Sequence, residues 1–311
     1  MRQPALDRAL AIYRYARSRT RHKGAGGEIK IVAVMTVSGS GRNLVPGLGD
    51  QASEQEAHLA VVIKHKVWLD GFMRLYAADI DSADLEQQVF WSKNPGTDLA
   101  ALASEKGCDI IIKTADAHGM LDAVFTPPDL QLLRHTAVPV FIARDHIWEP
   151  TGVIAVAVDI SDPADRSSRL LNMWLLREAQ ELAKFTGCSI HLINAIQPLI
   201  PSVAANAPSY ALPLGGGEEA LKESCKQVLA FAARHRIPPE HCHLREGHPD
   251  KVIPALCREL KPTALFIGSS GRTGIAVALL GGICERVMDV VECDLAVIPP
   301  RVAPLHERRR N

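Results

Sequence analysis

The sequence predicts two tandem α/β domains, each a doubly wound parallel sheet with helices on both faces. Three observations predict it. The chain repeats itself, short apolar strands alternate with amphipathic helices, and the second copy carries a glycine-rich loop between a strand and a helix.

The repeat is visible without a gap. Residues 108–144, CDIIIKTADAHGMLDAVFTPPDLQLLRHTAVPVFIAR, lie on residues 263–299, a shift of 155 (263 − 108). Ile110, Ile111 and Ile112 fall on Leu265, Phe266 and Ile267, and VPVFIA falls on CDLAVI. An earlier pair, EIKIVAVM from Glu28 and SIHLINAI from Ser189, also matches, each run following an amphipathic helix. The seam lies in the Pro/Gly stretch Trp148–Gly152, giving domains 1–149 and 150–311.

Taken in order, the chain opens on QPALDRALAIYRYA, an amphipathic helix with Leu6, Ala9, Leu10 and Tyr13 on one stripe. This Arg-rich start, with Asp7 its lone acid, reads as part of the fold and not as a transit peptide. The first copy has no strand ahead of that helix, so the middle strand of its sheet is missing and two edges are left unpaired. The chain's natural start is expected some fifteen residues upstream, the length of the segment ahead of the corresponding helix in the second copy. That copy reads strand Val153–Asp159, helix Arg166–Phe185, strand Ser189–Ala195, a Pro/Gly-rich connection, helix Glu218–His235 and strand His241–Arg245. Helix Lys251–Leu260, strand Ala264–Ile267, the glycine loop, helix Ile283–Val291 and strand Asp294–Ile298 complete it.

Composition narrows the function classes. Of 311 residues, 47% are apolar and 23% charged, which fits a packed globular chain. The 35 basic and 35 acidic side chains cancel, so no broad positive field exists for nucleic acid or an anionic membrane. Seven scattered cysteines without a C-x-x-C suit reduced thiols in the cytoplasm. No apolar run reaches the ~20 residues of a membrane span.

The glycine loop carries the chemistry. It runs Gly268-Ser269-Ser270-Gly271, then a spacer, then Gly281-Gly282-Ile283: G-x2-G-x9-G-G. Gly268 and Gly271 allow positive φ and close approach to a ligand, and consecutive amides in such a turn make an anion nest. Gly281 and Gly282 then set bare N–H groups at a helix start. The same glycines would serve an unliganded βα loop; their place at the carboxyl end of the sheet favours phosphate. Asp159, at the end of VAVAVD, would accept hydrogen bonds from a ribose hydroxyl or an adenine amine, or else act as a turn or capping acid beside Ser161 and Asp162.

The VAVD strand end, the G-x2-G-x9-G loop and the edge strand DLAVIP together resemble the universal stress protein family. The tandem arrangement, GRTG, and a degenerate first copy with FTPPDLQLLR are similar to its E-type tandem members. The resemblance implies strand order 3-2-1-4-5 in each half and an adenine nucleotide, ATP or AMP, with Mg²⁺ as a companion ion. It implies a stress-survival role as sensor or adaptor with unidentified protein partners. Asp159 would meet adenosine, the backbone at Asn194 and Ala195 would flank adenine, and Gly268, Ser269, Ser270, Gly271, Gly281, Gly282 and Ile283 would surround ribose and phosphates. Edge strands 139–143 and 294–298 would pair antiparallel as an internal pseudo-dimer, with a homodimer as a further level of assembly. Gly282 stands where the family motif has Ser or Thr, which removes one hydroxyl donor worth ~1 kcal/mol.

In the first copy the shift puts Lys113, Asp116, Thr126 and Pro127 on glycine positions, so no phosphate site is expected there. The runner-up readings are slow ATP hydrolysis at the same loop, although no water-activating base or G-K-(S/T) is present, and a ligand-free interaction scaffold. His241, His243 and His248 match no closed metal set. Gly247-His248-Pro249 reads as a loop over the nucleotide cleft. Cys284, at a helix start, could have a lowered pKa or be inert packing.

Overall fold

A computed structural model of the chain describes residues 3–23, 29–38, 54–115, 127–160, 162, 164–196, 216–269 and 283–300. The chain forms two compact units, the first running to Asp145 and the second beginning at His146.

In the first unit the order is α1 (Gln3–Lys23), β1 (Ile31–Val37), α2 (Glu54–Tyr76), β2 (Leu85–Trp91), α3 (Pro95–Glu105), β3 (Ile111–Thr114), α4 (Pro127–His135) and β4 (Val140–Ala143). Strand β1 pairs with β2 and β3 with β4, both parallel, and β1 and β3 are not hydrogen-bonded neighbours. Helix α1 reaches both pairs. Its Leu6, Leu10 and Tyr13 share a core with Ala33 of β1, and the Ala5 amide donates to Thr114 Oγ1 at the end of β3.

In the second unit the order is β5 (Val153–Ala157), α5 (Arg166–Thr186), β6 (Ser189–Ile196), α6 (Gly216–Arg234), β7 (Cys242–Glu246), α7 (Pro249–Leu260), β8 (Ala264–Gly268), α8 (Ile283–Met288) and β9 (Asp294–Ile298). The strands run parallel in the order β9-β8-β5-β6-β7. Counted from the start of this copy, that is 3-2-1-4-5 read from β7 to β9. Connections β5→β6→β7 step one way along the sheet and β7→β8→β9 step back. Right-handed crossovers therefore set α5 and α6 on one face and α7 and α8 on the other, and α7 packs on α8. Ile154, Ala155 and Val156 of the central strand are fully buried, as both-sided coverage demands.

Local signals fix the elements. Asp165 caps α5, accepting from the Ser167 amide at 2.9 Å, and Gly187 ends it in the left-handed region at φ 76°. Between them Leu175, Leu176, Ala179 and Leu182 form the buried stripe. Helix α8 is shorter than the sequence suggests. It turns out of helical geometry after Met288, the Val290 and Val291 amides both reaching the Val287 carbonyl.

The Trp148–Gly152 stretch is anchored to the second unit. The fully buried Asp294 carboxylate takes the Trp148 indole N–H at 2.6 Å and meets His146 Nε2 at 2.9 Å, and Trp148 stands edge-on to Phe185. Gly152 has no room for a side chain, since a Cβ would lie 2.6 Å from Thr263 Oγ1.

Candidate functional site

In a parallel sheet all carboxyl ends of the strands fall on one edge. The sheet order sets β8, β5 and β6 side by side, so Gly268 and Ser269, Asp159, and Asn194 and Ala195 stand at the ends of three adjacent strands. The direction of winding reverses between β5 and β8. That reversal is the topological switch point where open α/β sheets carry ligands.

Strand β5 stops at Ala157, two residues before the expected end, and the reason lies in two buried asparagines. Asn194 Nδ2 donates to the Val158 carbonyl at 2.9 Å. Asn172 of α5 grips the next residue twice: its Oδ1 accepts the Asp159 amide at 3.1 Å and its Nδ2 donates to the Asp159 carbonyl at 2.7 Å. The Val158 amide still reaches the Ile193 carbonyl of β6 at 3.0 Å, but the Val158 carbonyl and the Asp159 main chain are held by side chains, and the exposed Asp159 side chain is carried on that turn. Asp159 does not cap α5. Asp165 does, and Asp162 accepts from the Ala164 amide within the turn.

Two details of the glycine loop's entry differ from the sequence reading. Gly268 lies outside the positive-φ region. Its missing side chain leaves space for α5 instead, because a Cβ would lie 2.5 Å from Leu171 Cδ2. The Ser269 amide is taken up by the Ile298 carbonyl at 3.0 Å and extends the β8–β9 ladder, so it is not a free donor to an anion. Ile283 opens α8. Ser270, Gly271, Gly281 and Gly282 lie outside the described residues.

The β7–α7 loop borders the same edge. Gly247, at φ 138°, returns its amide to the Ile196 carbonyl of β6. His248 Nδ1 lies 2.5 Å from Asp250 Oδ1, and Arg286 of α8 donates to Asp250 Oδ2 at 2.8 Å. Burial raises the Asp250 pKa, but His248 and Arg286 outweigh it and hold the carboxyl below its usual value. The carboxylate thus ties the loop to α8.

The histidines divide differently from the sequence grouping. His248 stays with Asp250, while His241 and His243 join His191 of β6. His191 Nδ1 and His243 Nε2 are 2.9 Å apart, and the His241 ring stacks on His191 at 4.0 Å. Burial and the two neighbouring imidazoles push the His191 pKa down to about 4. No group of three or more His, Cys, Asp or Glu with metal-holding geometry occurs among the described residues. Cys284 is buried and burial pushes its thiol up to about 12, opposite to the lowering that a helix start would give.

In the first unit Lys113, the counterpart of Gly268 (113 + 155), donates to the Thr114 carbonyl and pairs with Asp129 of α4 at 2.9 Å. An ion pair therefore stands at the strand end where the second copy begins its glycine loop. Elsewhere, a groove of about 620 Å³ on the outer face of α5, lined by Arg166, Leu170, Met173, Trp174, Arg177 and His235 among others, holds none of the sequence-nominated residues.

A doubly wound parallel sheet with an acid and a glycine-ended strand flanking its switch point defines an α/β protein of the open-sheet type. Comparison with known proteins is specific. The universal stress protein family model matches residues 152–299. Universal stress protein E of Photorhabdus laumondii is 32% identical over 226 residues, covering 70% of this chain and 69% of that protein. A universal stress protein E homolog of Haemophilus influenzae is 27% identical over 302 residues, covering 96% and 94%. A solved universal stress protein from Archaeoglobus fulgidus, 16% identical, superposes with TM-score 0.57 over 94% of this chain and 91% of that one, a likeness of fold. This chain belongs to the universal stress protein family.

Proposed function

We propose that the chain is a cytoplasmic stress-response protein that binds an adenine nucleotide, ATP or AMP with Mg²⁺ as companion to the former, at the β8–β5–β6 edge of its second unit. In this reading Asp159 accepts from adenosine, the backbone at Asn194 and Ala195 flanks the base, and the glycines from Gly268 to Gly282 surround the phosphates. Bound state then governs docking of a protein partner.

The observation that carries this reading is the double hydrogen bond from Asn172 to the Asp159 main chain beside the switch point. A buried polar side chain committed to one turn preorganises the acid the turn presents, which reduces the ordering cost of binding. The consumed Ser269 amide leaves the anion-facing donors to residues further along the loop.

Isothermal titration of the full chain with ATP and AMP tests the proposal. Asp159→Ala is expected to weaken binding about tenfold or more, as loss of a hydrogen bond to a charged acceptor of ~1.5–3 kcal/mol implies. Gly271→Val is expected to abolish it by blocking phosphate. Unchanged affinity in both variants would place the nucleotide elsewhere.

A further inference from the structure

The outer row of α5 mixes cations with exposed apolar side chains. Arg166, Leu170, Met173, Arg177 and Gln180 follow one another at helical spacing, on the side opposite the buried Leu175, Ala179 and Leu182. Leu170 and Met173, in the middle of the row, are 39% and 52% exposed. With Trp174 beside them and His235 just past the end of α6, they line the groove of about 620 Å³. That volume falls within the ~300–1,000 Å³ of small-ligand sites.

The chemistry of the groove is one-sided. No acid lines it among the described residues. Among those residues the Arg166 and Arg177 guanidiniums have no ion pair, and the Trp174 indole N–H and the Gln180 amide have no hydrogen-bond partner. Guanidinium and indole N–H groups only donate, so an apolar floor is edged by donors in want of an acceptor. Two aromatic rings complete the lining. One is Trp174; the other is His235, which rests on Phe231 at 4.6 Å. Burial and then the Arg234 cation lower the His235 pKa, so its ring is neutral near neutral pH.

We propose that this groove binds a small aromatic carboxylate, its ring on Leu170, Met173 and Trp174 and its carboxylate on the Arg177 guanidinium. A guanidinium takes a carboxylate on two parallel N–H bonds, and an aromatic ring packs on an indole better than a flexible chain does. Arg177 is the better placed of the two cations. It follows Met173 and Trp174 by one helical turn, and helical side chains lean back towards the N-terminus, over the preceding turn. It is also half-buried, where Arg166 is exposed, so its charge is less screened by water. An uncharged ring would forgo the ion pair, and an acyl chain would forgo the stacking. The groove lies on the side of α5 away from Asn172, and its occupation does not rest on nucleotide binding.

Isothermal titration of the full chain with naphthoate, naphthylmethanol and octanoate tests this. Naphthoate is expected to bind with a Kd on the order of 100 μM, as its small size allows. Naphthylmethanol, which has the ring without the charge, and octanoate, which has the charge without the ring, should each bind at least tenfold more weakly. Arg177→Gln should weaken naphthoate about tenfold and leave naphthylmethanol unchanged, a split that a merely structural role would not produce. Met173→Glu, at an exposed position, should abolish naphthoate binding with an unchanged thermal midpoint. Saturating ATP should leave naphthoate in place. The proposal is overturned by no naphthoate binding at ~1 mM, by equal binding of naphthoate and either other probe, by unchanged naphthoate affinity in Arg177→Gln or Met173→Glu, or by displacement with ATP.

Discussion

Asn172 holds the turn that carries Asp159, and it does so from inside an apolar stripe. Its side chain is 4% exposed and both its polar atoms are used on the Asp159 main chain. Replacing it with alanine leaves a backbone N–H and C=O to find new partners and is expected to lower stability by ~1–3 kcal/mol, read as a fall in the urea midpoint. Asn172→Asp keeps the acceptor and loses the donor, so it should rescue only part of the loss. Asp294 is the other buried polar anchor. Asp294→Ala strands the Trp148 indole N–H and the His146 ring and is expected to destabilise by a similar ~1–3 kcal/mol, with the Trp148 fluorescence red-shifted in the native state as its packing on Phe185 loosens. Equal stability of either alanine variant and the native chain would remove that residue from this account.

At the scale of elements, the β6–β7 edge carries a pH dependence of defined sign. His191 sits at a pKa of about 4 against an ordinary 6.5, depressed first by burial and then by His241 and His243. His243 is also depressed, first by burial and then by His241, with Glu259 opposing and Arg245 adding to the effect. A histidine whose folded pKa is lowered binds its proton more readily when unfolded. Its neutral-state stability is therefore fully present above about pH 6.5 and is lost as pH falls towards 4. Denaturant midpoints should decline across that window, and His191→Gln should flatten the decline; a slope that is the same in the variant would contradict the assignment.

The elements also show what the sequence could and could not disclose. Helices and strands of the second unit were legible because periodicity, Asp165 as cap and Gly187 as terminator all point the same way. The early end of β5 was not, because it depends on Asn172 and Asn194, thirteen and thirty-five residues away from Asp159 (172 − 159, 194 − 159). A polar residue on the apolar stripe of α5 was the available signal for Asn172. The glycine at 268 was legible as a special position but for a different physical reason, since its neighbour Leu171 is brought in by the crossover helix. Burial likewise reverses what the helix start alone suggests for Cys284.

For the whole molecule, the tandem units have diverged in their chemistry at the equivalent strand end: Lys113 with Asp129 in one, Gly268 against Leu171 in the other. The second unit carries the proposed nucleotide edge. ATP at about a hundredfold over its Kd should stabilise the second unit by ~2.7 kcal/mol, and a tenfold weaker Asp159→Ala should keep only about half of that, ~1.4 kcal/mol, with a correspondingly smaller rise in Tm. The most direct test of the central claim is amide hydrogen exchange of the full chain with and without saturating ATP. Slowed exchange confined to peptides covering residues 158–160, 194–196 and 268–283 is the predicted result, and protection absent from those peptides while appearing elsewhere, or absent altogether, would contradict it.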